Sequence, residues 1–197
     1  MERRRATVAI GTAAAISLFA ISIGAPRVRD AVDRDVDVVL DEPGEYQQPL
    51  EGADGDVALL PTVEVRTVAG GVMSTADLVG TPLVINLWFA ACPPCVREMP
   101  EFAEVHAEFG DRVRFIGVNP IDEVDRMLEF AESVGVSYEL YLDPLGRFTD
   151  ALETVSFPLT VFVDADGRIL ARDGVLDADG LRERIALHFR IPTSRSA

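Results

Sequence analysis

Cysteine and histidine are scarce in this chain of 197 residues, with two of each. The cysteines, Cys92 and Cys95, sit close together, but His106 and His188 lie far apart and without ligand spacing. A four-ligand zinc site is therefore not provided for, and no metal is expected. Positive charge is also in short supply: 18 basic residues face 33 acidic ones, for a net charge of −15. Binding a phosphate backbone would have to overcome repulsion instead of gaining from counterion release, which excludes nucleic acid as a partner. There is no internal repeat, and no cysteine follows the apolar N-terminal run, so solenoid architectures and lipid attachment drop out. A calcium loop is missing too. Asp33-Arg34-Asp35-Val36-Asp37 starts like one, yet Val38 stands where the loop needs glycine and Gly44 where it needs glutamate. What remains is ordinary for a globular protein: 48% hydrophobic and 26% charged residues, in a length that suits one well-packed domain with extras.

The informative stretch runs from Leu83 to Pro100, an apolar strand-like segment, a sharp turn and the start of an amphipathic helix. Cys92 falls where the helix begins, so free backbone N–H groups and the positive end of the helix dipole favour its thiolate. The dipole alone, at ~0.3–1 kcal/mol, moves a pKa by less than the ~1.36 kcal/mol of one pH unit, so hydrogen bonds from the turn and the Cys95 thiol must supply the rest. Cys92 reads as a nucleophile and Cys95, one turn inside, as its resolving thiol. A purely structural disulfide here would close a tiny loop and contribute ~2 kcal/mol against ~3 for a fifteen-residue loop, so chemistry is the better reason for a bridge.

The N-terminus carries Arg3, Arg4 and Arg5 before an uncharged run from Ala6 to Ala25. At ~1.5 Å per residue this run spans ~30 Å, the thickness of a bilayer core, and the positive flank stays in the cytoplasm. Residues 1–26 are read as a single-pass anchor holding the rest of the chain outside the cytoplasm. A cleaved signal and a secreted product are the alternative, disfavoured by Pro26 directly after Gly24-Ala25. A twin-arginine signal is weaker still, since the hydrophobic residues that usually follow the arginines are missing. Residues 27–59, with acids at 30, 33, 35, 37, 41, 42, 45, 51, 54 and 56, read as a solvated, disordered linker.

Residues 60–190 form the expected catalytic domain, with 191–197 as a loose tail. Val63, Val65 and Val68 alternate with polar residues around Ala69-Gly70-Gly71, a hairpin pattern, and Thr75 to Leu78 suggests a short helical turn. Leu83 to Phe89 is apolar throughout, as in a strand buried on both faces. Phe102, Val105 and Phe109 continue the helix past Pro100, and His106 beside them is expected to be partly exposed. Val113 to Asn119 is a second strand, Asp122 is expected to cap a helix reaching Val134, and Val136 to Leu142 is a third strand. This alternation implies parallel pairing with a right-handed crossover. A short helix ends near Glu153, Leu159 to Asp164 and Arg168 to Ala171 form a hairpin, and a last helix runs from Ala178 to Phe189. Pro158, at the start of an interior-looking strand, removes a ladder donor.

At Asn86, Trp88, Cys92, Pro93, Pro94, Cys95, Glu98 and Pro100 the chain resembles the thioredoxin superfamily, and within it the TlpA/ResA-like membrane-anchored thiol–disulfide oxidoreductases. With Pro158 the likeness covers roughly Leu60 to Phe189. It departs at Ala91, where the family often has tryptophan, and at Phe89, where alanine is usual. The resemblance implies an α/β thioredoxin-like fold, with a central mixed sheet flanked by helices and an N-terminal hairpin. It implies a redox disulfide between Cys92 and Cys95, and a cis Pro158 facing it, against a bare expectation of only ~5–6% cis. It also implies substrate contacts from Trp88, Pro93, Pro94, Phe157 and Pro158, the Phe157 backbone pairing with an extended substrate peptide.

The expected activity is thiol–disulfide exchange with no dissociable cofactor. Cys92 attacks a substrate disulfide and Cys95 resolves the mixed disulfide. The implied partners are a disulfide-containing exported protein, for example an apocytochrome c, and a membrane electron donor of the CcdA/DsbD type. Glu98 is expected to tune the pair and handle its protons; the competing reading makes it an exposed first-turn acid that only complements the dipole. Two rivals remain. A thiol peroxidase of peroxiredoxin type needs proline and threonine at fixed offsets before its cysteine, and Asn86 to Ala91 supplies neither. A copper-delivery protein of the Sco type needs C-x-x-x-C and a distal histidine. Pro93-Pro94 offers no N–H from either residue, which disfavours a strongly oxidising couple.

Overall fold

The computed structural model describes residues 58–192. The apolar run from Ala6 to Ala25, the acidic stretch up to Val57 and the last five residues lie outside them. Among the described residues no helix is long and apolar enough to cross a membrane.

A seven-stranded mixed sheet forms the frame, in the order β2-β1-β5-β4-β3-β6-β7. β1 (Glu64–Thr67) and β2 (Val72–Ser74) make the leading hairpin, turning at Gly70, whose φ of 86° suits glycine. A 3-10 turn, Thr75–Leu78, follows. β3 (Leu83–Leu87) and β4 (Arg114–Asn119) pair in parallel, as do β4 and β5 (Glu139–Leu142). These three strands are joined through α1 (Pro93–Phe109) and α2 (Val124–Ser133). After the short α3 (Arg147–Ala151), β6 (Leu159–Val163) runs antiparallel to β3 and β7 (Ile169–Asp173) antiparallel to β6; α4 (Ala178–Phe189) closes the domain. Ala58 and Leu59, placed in the linker by composition, already belong to this domain. Leu59 bridges Arg168, and Ile169 donates its N–H to the Ala58 carbonyl at 2.8 Å.

β3 lies inside the sheet between β4 and β6 and is buried along its whole length, as its largely apolar sequence requires. Its side chains alternate between two cores. Leu83, Ile85 and Leu87 join Ile116, Val118, Val161 and Phe148 of α3 on one face. Val84 packs on the other with Phe102, Val105 and Phe109 of α1 and Leu181 and Ile185 of α4. The same period of two turns Asn86 toward α1. A third cluster, at the C-terminal end of β3, contains Trp88, Cys92, Cys95, Met99 and, from α2, Met127 and Ala131.

One expected cap is corrected. α2 starts at Val124, Glu123 is its N-cap, and among the described residues no side chain accepts a backbone N–H of its first turn. Asp122 points elsewhere, because its carboxylate is taken by donors from the chain on either side of the sheet's end.

Candidate active site

The chain leaves β3, turns through Phe89 to Ala91 and enters α1 with Cys92 as the N-cap residue. Cys92 and Cys95 are joined by a disulfide, S–S 2.04 Å, with their Cα atoms 5.2 Å apart. The Cys92 sulfur accepts the Cys95 N–H at 3.2 Å. Pro93 and Pro94 occupy the first two helical positions and bring no N–H. The next amide, Val96, is committed to the Cys92 carbonyl at 3.0 Å. The helix terminus therefore offers this sulfur the single Cys95 N–H. Pro93 is exposed and Pro94 half-buried, while both cysteines are buried.

The Phe157–Pro158 peptide bond is cis, and β6 begins at the following residue. Phe157 packs against the cluster that holds both cysteines, and its ring meets Phe89 edge-on at 5.5 Å. Phe89, the departure from the resembled pattern, thus has a structural partner in the cis-proline loop.

Trp88 is not where a substrate contact requires it. It has no exposed surface, lies against Phe130 of α2 at 5.4 Å, and sits over Gly117, where an added Cβ would come within 2.8 Å of the indole nitrogen. The strand end is buried on both faces, so Trp88 forms the floor beneath the cysteines and does not face a substrate.

Glu98 is only 2% exposed, which removes the reading of a solvated first-turn acid. One carboxylate oxygen accepts Asn86 Nδ2 at 2.8 Å and the other accepts the Leu176 N–H at 3.2 Å. Burial pushes its pKa from the ordinary 4.5 up to about 7, and Glu101 nearby adds to the rise; the two hydrogen bonds pull the other way without cancelling it. Asn86 Oδ1 is itself buried without a partner. A turned amide would let that oxygen accept a hydrogen bond from the O–H of a protonated Glu98, so the pair suits the neutral acid as well as the ion. The sequence carried a signal for this burial. Glu98 falls three residues after Cys95 and four before Phe102, on the inward stripe of α1.

His106 lies edge-on to Phe115 and Tyr138, half-buried as expected, and His188 packs against Phe162; neither belongs to the cysteine cluster.

Comparison with known proteins decides the family. A family model described as AhpC/TSA matches residues 58–172. The chain belongs to the AhpC/TSA family. Its sequence is 28% identical over 126 residues to the thiol-disulfide oxidoreductase ResA of Halalkalibacterium halodurans, covering 64% of this chain and 69% of that protein. It is 33% identical over 115 residues to a thiol:disulfide interchange protein DsbE homolog of Paracoccus denitrificans, covering 57% and 62%. The match thus spans between about three-fifths and seven-tenths of the curated relatives' length. A solved structure of a secreted Mycobacterium tuberculosis disulfide oxidoreductase homologous to E. coli DsbE superposes with a TM-score of 0.58 at 26% identity, over 64% of this chain and 95% of that one. The thioredoxin-like α/β fold, the disulfide at a helix start and these relatives make this chain a thiol–disulfide oxidoreductase.

Proposed function

We propose that this enzyme reduces disulfides in exported proteins, an apocytochrome c among them, from the outer side of a membrane to which residues 1–26 anchor it. In each turnover the Cys92 thiolate attacks one sulfur of the substrate disulfide, and the other sulfur leaves as a thiol. Cys95 then attacks the mixed disulfide, releasing the second substrate thiol and closing the Cys92–Cys95 bridge. Two electrons have passed to the substrate, and a membrane donor of the CcdA/DsbD type restores the dithiol. Glu98, one turn from Cys95 and with its pKa raised to about 7, is suited in its ionised form to take the Cys95 proton as that thiol attacks. Phe157 offers its backbone to the incoming peptide beside Pro158, and exposed Pro93 with half-buried Pro94 forms the lip of the turn.

The observation that carries the direction is the lone N–H that the helix start offers the Cys92 sulfur. A strong oxidant needs its reduced thiolate heavily stabilised, and two prolines withhold the donors that would do so. The secreted relative supports an extracytoplasmic site of action. The test is Cys95→Ser in the native host. Without the resolving thiol a mixed disulfide with the physiological substrate accumulates and identifies it, whereas a variant that collects no adduct refutes the reading. A peroxidase is not favoured, since Asn86 to Ala91 contains neither proline nor threonine.

A further inference from the structure

The segment between Trp88 and Cys92 is held from outside by one carboxylate. The Cys92 N–H closes a turn onto the Phe89 carbonyl at 3.2 Å, and the Ala90 N–H inside that turn donates to Asp122 Oδ2 at 2.6 Å. The same oxygen accepts Asn119 Nδ2 at 2.8 Å, and Asn119 Oδ1 in turn accepts the N–H groups of Ile121 at 3.0 Å and Asp122 at 2.8 Å. Asn119 is fully buried at the end of β4, and its carbonyl receives the Asp143 N–H from the end of β5 at 2.9 Å. The other Asp122 oxygen takes Arg126 Nε at 3.1 Å, and the Asp122 side chain is only 5% exposed. None of these bonds caps α2.

We infer that Asp122 is a positioning residue for Cys92: it ties the turn that carries the nucleophile to the rigid ends of β4 and β5. In doing so it holds the sulfur where it can accept the Cys95 N–H. With only that donor available from the turn, the thiolate has no substitute if the turn drifts. The Ala90 N–H donates to a carboxylate, and hydrogen bonds to charged acceptors are among the stronger ones, so partial loss of this one is measurable in Cys92 reactivity.

The inference rests on the oxidoreductase reading, and three variants of the full chain test it through the pH profile of Cys92 alkylation in the reduced protein. Asp122→Asn can offer one oxygen to both Ala90 and Asn119 and loses the charge and the bond from the exposed Arg126 Nε, neither of which touches the turn, so its profile stays within about twofold of wild type. Asp122→Ala removes the acceptor, and Asp122→Glu keeps the charge but displaces the oxygen by one methylene. Both slow alkylation near pH 7 by roughly threefold to tenfold and move the Cys92 midpoint upward, as expected for a weakened hydrogen bond. Should Asp122→Ala fail to fold, Asp122→Glu against Asp122→Asn still decides. Unchanged profiles for Ala and Glu overturn the inference even if melting temperatures fall, and so does an equal change in Asn, which would assign the effect to charge. A reduced wild-type chain that passes no electrons from Cys92 and Cys95 to a model peptide disulfide removes the oxidoreductase reading along with it.

Discussion

Replacing Glu98 by glutamine should change stability in a way that depends on pH. In the folded chain Glu98 keeps its proton to about pH 7, whereas the unfolded chain loses it at 4.5. Between those values the unfolded state binds fewer protons than the native one, so wild-type stability falls as pH rises and the loss is complete above the folded value. At ~1.36 kcal/mol per pH unit, the rise from 4.5 to about 7 amounts to about 3 kcal/mol. Glutamine does not titrate. With the Asn86 amide turned, it can donate to Asn86 Oδ1 while its own oxygen accepts the Leu176 N–H, at the loss of the long 3.4 Å bond from Asn86 Nδ2 to Thr160. The expected outcome is a stability difference, Glu98→Gln minus wild type, that widens in favour of the variant by about 2–3 kcal/mol between pH 5 and pH 8. Urea unfolding of the oxidised proteins across that range measures it, and the range stops short of the isoelectric point near 4.4. A difference that stays constant with pH would refute the assignment of Glu98 as a buried, proton-retaining acid.

Gly117→Ala would drive a Cβ to within 2.6 Å of Leu140 and 2.8 Å of Trp88; a loss of roughly 1–3 kcal/mol is expected in denaturant unfolding. Glu98→Gln should also slow the resolving step, measured as the decay of a Cys92 mixed disulfide with a model peptide, and an unchanged decay rate would leave Glu98 without a role in proton transfer. Fractionation of the native host should place the full-length chain in the membrane, and a soluble product beginning near Pro26 would remove the anchor.

Much of this fold was legible because each element had a local cause. The hairpin around Gly70, the largely apolar β3 and the proline opening β6 all announce themselves within a few residues. The cysteine pair likewise carries its own helix start. What escaped the sequence depends on contacts between distant segments. Asp122 looks like a helix cap from its neighbours, yet the one backbone N–H it accepts is that of Ala90, 32 residues earlier, and its side-chain donors are Asn119 and Arg126. Trp88 belongs to a motif near the cysteines, and only the packing of α2 beneath it shows that it is floor and not contact surface. Glu98 lies between the two cases. Its place on the buried stripe of α1 could be counted, but the Asn86 and Leu176 partners that make such burial tolerable come from β3 and from the approach to α4.

The central claim is that this dithiol is a reductant, and its reduction potential tests that most directly. Equilibrating the purified chain against dithiothreitol and glutathione buffers, with the Cys92–Cys95 state read by thiol labelling, gives the value. A couple nearer thioredoxin's potential of about −270 mV than DsbA's of about −120 mV is predicted from the single N–H that the helix start offers the Cys92 sulfur. A couple poised near about −120 mV would contradict the account and make the protein an oxidase.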